Sequence, residues 1–166
     1  MRKLFLILAF MGLMTSCGDG FDKKDSAKNP PQQNAQEVDT FGVNQDYLQL
    51  VNDHRIEMQL RPLTYHSIVE EIAKSHSKAM AGYVRPFGHI GFTVRCRRLK
   101  NRIGKIKLCG ELVAMGQKNI QAVFKAWMNE PKHREEIERP SFTHTGLGIY
   151  KDARGVRYWT QMLVEQ

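Results

Sequence analysis

The sequence is poor in cysteine. Three cysteines in 166 residues are too few, in too long a chain, for a small scaffold stapled by disulfides. A glycine-rich phosphate loop of the Walker or Rossmann kind is absent, so nucleotide chemistry of those types has no carrier. Ser141 and Thr143 have no His–acid arrangement near them, which leaves a hydrolase triad without support. There is no internal repeat. The one sustained apolar run is residues 4–14, too short to span a bilayer as a permanent helix. Asp and Glu are missing altogether from residues 84–110.

What is present narrows the class. The length suits one domain with its own core and excludes a multidomain enzyme. An apolar share of 42%, with two Trp, five Tyr and eight Phe, excludes a disordered chain. Lys and Arg number 25 against 17 Asp and Glu, a net charge of +8. Taken alone, that charge suggests nucleic acid. The N-terminus redirects it. Met1-Arg2-Lys3 is a basic n-region, Leu4 to Met14 an apolar core, and the segment ends at Leu13-Met14-Thr15-Ser16-Cys17. A basic, then apolar, leader is a secretory signal. Small residues before a cysteine resemble a bacterial lipobox. On that reading residues 1–16 are a lipoprotein signal peptide and Cys17 becomes a diacylated N-terminus carrying palmitate-type chains. Two or three chains anchor firmly where one is marginal. An ordinary secretory leader with an incidental Cys17 is the alternative. Either way the chain is expected outside the cytoplasm, in the bacterial cell envelope, periplasmic or surface-exposed, with no nucleic-acid partner. Gly18 in place of Asp after Cys17 favours the outer membrane.

Residues 17–40 are Asp, Lys, Asn, Pro and Gln with almost nothing apolar, a disordered tether by composition. The leader carries +2 and the tether −2, so residues 41–166 keep +8. Within them, a helical stripe runs through Asn44, Tyr47, Leu50, Val51, His54 and Met58 up to Pro62. Ser67 is placed to cap a second helix with a stripe of Ile68, Ile72, His76, Ala79 and Tyr83. Residues 84–110 show no clear period. Ile120, Val123, Phe124 and Trp127 mark a third helix, and Pro131 opens another short one that ends before Pro140. Thr145, Leu147 and Ile149 alternate, Asp152-Ala153-Arg154-Gly155 turns, and Val156 to Val164 alternate again, a C-terminal hairpin. Helices flanking a small, mostly antiparallel sheet give an α+β sandwich over 41–166. His54 and His76 lie on apolar stripes and read as core or boundary residues.

Three strings carry the chemistry. Phe87-Gly88-His89-Ile90-Gly91-Phe92 sets a histidine between glycines. Cys109-Gly110-Glu111-Leu112 sets an acid near the start of a strand. Trp127-Met128-Asn129-Glu130-Pro131-Lys132-His133-Arg134 sets an acid and a histidine at a helix junction. In this order the strings resemble the CAP superfamily (cysteine-rich secretory, antigen 5, pathogenesis-related) in its bacterial SCP-like branch. So do Leu50-Val51-Asn52-Asp53-His54-Arg55, Arg61-Pro62-Leu63-Thr64-Tyr65, Phe142 to Gly148, and Tyr158-Trp159-Thr160-Gln161. The resemblance covers nearly all of 44–163. It implies an α-β-α sandwich and a cleft tetrad of His89, Glu111, Glu130 and His133. Family members hold zinc or magnesium in this cleft, which makes His89 and His133 the expected ligands of a divalent metal; the alternative to a binding role is a metal-dependent hydrolase with Glu111 or Glu130 as general base. Two departures stand out. Leu112 replaces the family's Asn and removes an amide near the site, and Lys132 replaces a glycine before the second histidine.

With Cys17 lipidated, Cys96 and Cys109 remain as an even pair, expected as a disulfide in an oxidising compartment or else as two free thiols. Between them and just upstream lie Arg85, Arg95, Arg97, Arg98, Lys100, Arg102, Lys105 and Lys107, and the rest of 41–166 balances to zero. Arg95, Arg97, Arg98 and Lys100 are expected to form an anion-binding rim beside the cleft, facing anionic lipid or an envelope glycan. A merely solvated basic loop is the alternative. The leading expectation is therefore an envelope-anchored CAP-domain binding module.

Overall fold

The computed structural model describes residues 35–38 and 41–166. The leader, Cys17 and most of the expected tether lie outside the described residues. Among those described, five strands and five helices occur in the order β1 (Gln36–Glu37), α1 (Phe41–Glu57), β2 (Thr64–Tyr65), α2 (Ser67–Ala81), α3 (Phe92–Ile103), β3 (Leu108–Met115), α4 (Ile120–Asn129), α5 (Pro131–Ile137), β4 (His144–Lys151) and β5 (Arg157–Glu165). The sheet runs β1-β4-β5-β3, with β2 joined to β4. All pairings are antiparallel except β2 with β4. β1 lies inside the segment expected to be a tether, because Gln36 and Glu37 pair with Lys151 and Tyr150 at the end of β4.

The hairpin of β4 and β5 is the frame. Its turn is closed by the buried Asp152, whose Oδ1 accepts from the backbone N–H of Arg154 and of Val156, both at 2.9 Å. Gly155 supplies the left-handed conformation there, at φ 81°. Nearly every residue of both strands is buried, on both faces, as a sheet sandwiched between helices requires. On one face α1, α4 and α5 cover Leu112, Leu147, Ile149, Trp159 and Leu163, with Tyr47 and Trp127 packed edge to face at 5.9 Å. On the other face α2 lies directly on β4. Gly146 and Gly148 make this possible, since a Cβ on either would collide with the backbone of Val69 and Glu70 or of Ala73 and Lys74.

Local chemistry sets the helix ends. Asn119 accepts from the N–H of Ala122 to cap α4, and Glu130 caps α5 with Pro131 in its first turn. The second helix is capped by His66, not Ser67, its Nδ1 accepting from the N–H of Ile68. On α1 the buried stripe is Asn44, Tyr47, Val51 and Arg55, while Met58 lies beyond the helix and is 51% exposed. Arg55 is fully buried and donates to the carbonyls of Arg61, Ile137, Arg139 and Phe142. Asn52 brackets Leu63 through both its carbonyl and its N–H. These two residues are structural: they bind the end of α1 to the chain segments that follow it. The largest departure from the sequence reading is α3, where no period was expected. Phe92, Leu99 and Ile103 pack against a cluster that includes Val69, Ile72 and Met162.

Candidate functional site

Glu111 lies on β3 opposite Met162 of β5, so its side chain rises on the face covered by α2 and α3. It is 8% exposed. A carboxylate this deep needs charge-assisted partners. Arg95 supplies two, Nε donating to Oε2 at 2.5 Å and Nη2 to Oε1 at 2.7 Å. His89 supplies a third through Nδ1, 2.9 Å from Oε1. Burial alone would raise the Glu111 carboxyl, but the hydrogen bonds from His89 and Arg95 and the Arg95 charge outweigh it. They hold the group below its ordinary 4.5.

Arg95 is thus not part of a rim. Placed three residues into α3, it points inward, is 7% exposed and is the counter-ion of Glu111. Its Nη1 also donates to the carbonyl of Ile90, at 2.9 Å. His76, on α2, holds the same loop from the other side, its Nε2 donating to the carbonyl of Gly88 at 2.8 Å. His89 is therefore carried on a loop tied down on either side of it. Its own ring is half exposed. His76 is buried, and burial followed by the Arg95 charge pushes it below its ordinary 6.5 against the pull of Glu111 and Gly88. It belongs beside the site rather than in a generic core.

The second pair sits at the junction of α4 and α5. Glu130 accepts from the backbone N–H of His133 at 2.8 Å and lies 3.2 Å from its Nδ1. The first-turn amides of His133 and Lys132 lower its carboxyl. Burial lowers His133, opposed by Glu130 and aided by the charge of His89, so the two pairs lie within electrostatic reach. Lys132 is accommodated because the position is ordinary helix. Leu112 points away from Glu111, fully buried in the cluster with Trp127 and Ile137. The amide it replaces would therefore not have met Glu111.

Among the described residues no group of three or more His, Cys, Asp or Glu side chains is placed to hold a metal ion. Glu111 has both oxygens engaged and offers no ligand. What remains is the Nε2 of His89 and of His133, two imidazoles where a closed structural site takes four protein ligands. Cys96 and Cys109 are both free, half-buried and not at disulfide distance. A thiol hydrogen bond joins them, raising Cys96 and lowering Cys109. Of the expected rim, Arg97, Arg98 and Lys100 are exposed on α3.

The rim expected from the sequence includes Arg95, which the structure turns inward onto Glu111. The signal for Arg95 was the stripe Phe92, Cys96, Leu99, Ile103, spaced as a helix requires. That stripe puts Arg95 on the inward side.

A family model of the cysteine-rich secretory protein family (CAP) matches residues 48–163. YkwD of Bacillus subtilis is 33% identical over 119 residues, covering 70% of this chain and 45% of its own. A solved extracellular protein of Bacillus anthracis with an SCP domain is 26% identical, with a TM-score of 0.65 over 75% of this chain and 41% of its own. An outer surface protein of Borrelia burgdorferi is 20% identical and matches in fold with a TM-score of 0.70, over 80% of this chain and 98% of its own. The chain thus spans less than half the length of the two Bacillus relatives.

Proposed function

The chain belongs to the CAP family of cysteine-rich secretory proteins, and from that premise we propose that it is an envelope-anchored binding module. A lipidated Cys17 holds it to the membrane. The cleft of His89, Glu111, Glu130 and His133, flanked by Arg97, Arg98 and Lys100, takes an anionic lipid, wall or surface ligand. The observation that carries this reading is that neither cleft carboxylate is placed as a base: both oxygens of Glu111 are engaged, and Glu130 caps α5. A general base working near neutral pH needs a raised pKa, whereas Glu111 is held down by His89 and Arg95, and Glu130 by the amides of α5. The groups left facing out, His89, His133 and Glu130, are 50%, 25% and 44% exposed and pre-oriented for hydrogen bonding.

The test is co-sedimentation of the chain with phosphatidylglycerol vesicles and with purified envelope glycan. Binding is expected at low salt, weakened by salt, reduced by His89→Ala and abolished by the triple change Arg97→Gln, Arg98→Gln, Lys100→Gln. Binding that ignores all of these removes the reading. Anchoring is checked separately: Cys17→Ser should move the protein from the membrane to the soluble fraction and end palmitate incorporation.

A second reading gives the same cleft a divalent ion, zinc or magnesium. The feature in its favour is that each imidazole meets a carboxylate at Nδ1, the arrangement that orients a histidine ligand. Bound metal that disappears in His89→Ala and His133→Ala would support it. Turnover on peptide, ester or glycan panels that vanishes in Glu111→Gln or Glu130→Gln would replace binding by hydrolysis. The adjacent thiols of Cys96 and Cys109 would become a disulfide in this compartment, giving two electrons and two protons to an envelope thiol oxidoreductase. A thiol-alkylation gel shift seen only after reduction is the expected result.

A further inference from the structure

A small pocket lies between α2 and α3, with Arg95 in its wall. Its volume is about 80 Å³, and Ser75, His76, Arg85, Gly91, Arg95 and Arg98 contribute to its wall. Four features of it bear on a ligand.

The first is charge. Three guanidiniums border the pocket and no acidic side chain does. Arg95 is neutralised by Glu111, but among the described residues the Arg85 and Arg98 guanidiniums have no hydrogen bond or ion pair. The Arg85 and Arg95 groups converge on Gly91, 3.7 and 3.4 Å from where its Cβ would be.

The second is register. One turn further along the two helices, Arg102 meets Glu71 at 2.6 Å. At the pocket the same helix faces bring Arg98 together with Ser75, a residue too short and uncharged to neutralise it. Where one turn carries a carboxylate, the next leaves its position open to an anion from outside.

The third is an orphaned acceptor. His76 is 2% exposed, its Nε2–H is committed to Gly88, and its Nδ1 is buried without any partner. Among the arginine donors of this pocket, the unpartnered Nδ1 is satisfied by a ligand that brings a proton. A phosphate monoester carries one on its oxygen; a phosphodiester or a sulfate does not.

The fourth is the rim. Val84, Phe87, Ile90 and Val94 are 60%, 48%, 55% and 42% exposed. Three of them share the loop that carries Arg85, and Val94 lines the pocket itself. Apolar side chains beside unpaired arginines suit the boundary between headgroups and acyl chains.

We propose that this pocket binds the phosphate monoester headgroup of a lipid, with Arg85, Arg98 and Ser75 holding the phosphate oxygens, His76 Nδ1 accepting the phosphate hydroxyl, and Val84, Phe87 and Ile90 entering the bilayer surface. It deepens the binding-module reading above and names the ligand class and the residues. The chain is tested at full length with Cys17→Ser, so that no acyl anchor forms. Its binding is compared between charged vesicles of matched surface potential, so that any insertion of the basic leader cancels. Phosphatidic acid vesicles should bind roughly tenfold more tightly than phosphatidylglycerol vesicles of matched surface potential, about the worth of one buried hydrogen bond. Inorganic phosphate should compete and should shift the Gly91 and Ser75 amide resonances. Arg85→Gln with Arg98→Gln should abolish both the preference and the shifts. Val84→Ser with Phe87→Ser should weaken vesicle binding and leave the phosphate shifts in place.

Equal binding of the two charged lipids, an arginine variant that binds phosphatidic acid like its parent, or phosphate shifts without vesicle binding would each overturn the proposal. The two readings fail separately. Loss of binding in His89→Ala with none in Arg85→Gln, a pocket residue outside the Arg97, Arg98 and Lys100 flank, removes this pocket and keeps the cleft. The reverse pattern removes the cleft and keeps the pocket.

Discussion

The two imidazole–carboxylate pairs share a chemical formula and almost nothing else. His89–Glu111 is built on a strand, roofed by two helices and clamped by Arg95, with its carboxylate 1% exposed. His133–Glu130 is local, three residues apart at a helix start, with its carboxylate 44% exposed. The first carboxylate survives burial only because a guanidinium meets both its oxygens. The second does the work of a helix cap. Residues that occupy equivalent family roles can thus have unrelated physical jobs, and substitution should separate them.

The largest effect is expected at Arg95→Met, which strands a buried carboxylate. The loss in urea unfolding should be about 3–5 kcal/mol, and adding Glu111→Gln should recover part of it. An unchanged midpoint would remove the contrast between the pairs. Acid comes next. His76 and His133 lie below 6.5 in the fold. A histidine so lowered stabilises fully above its unfolded value and loses that contribution as pH falls through the folded one. Glu111, lowered from 4.5, follows the same sign in a more acid window. The groups facing His76 are Glu111, Arg95 and His89, and of these the arginine sets the direction. Thermal melting should therefore be flat above neutral pH, decline below about 6.5, and decline again below about 4.5. A midpoint that rises on acidification through 6.5 would contradict this.

Glu130→Gln should be milder. It loosens one cap and removes the charge that raises His133, so the His133 titration followed by NMR should move further down. An upward move would mean that another anionic group, not Glu130, faces His133. The smallest effect belongs to chelation. Both pairs are satisfied by protein groups, so dialysis against a chelator should leave the melting midpoint where it was. A clear drop would mean that an ion, not Arg95 and the α5 cap, holds the cleft together.

Much of the fold was legible in the sequence because its signals are local. Alternation in Thr145, Leu147 and Ile149, the turn at Asp152 to Gly155 and the Pro131 helix start each fall within a few residues. The α3 helix was harder to read. Its moderate apolar stripe is diluted by Arg95, Arg97, Arg98, Lys100 and Arg102, whose charge drew attention from the period. Glu130 and His133 could be paired from their spacing, whereas nothing in the spacing of Arg95 and Glu111, 16 residues apart, announces an ion pair.

By itself the sequence determined the family and the hairpin, since each is written in short strings or in periodicity. Only the tertiary structure decided what the cleft residues do. It turned one arginine of the basic stretch inward to neutralise Glu111 and left Arg85 and Arg98 without counter-ions among the described residues. It buried His76 with an unused acceptor. The reason is physical: burial sets how strongly a charge must be matched, and burial belongs to the packing of distant segments, not to any one of them.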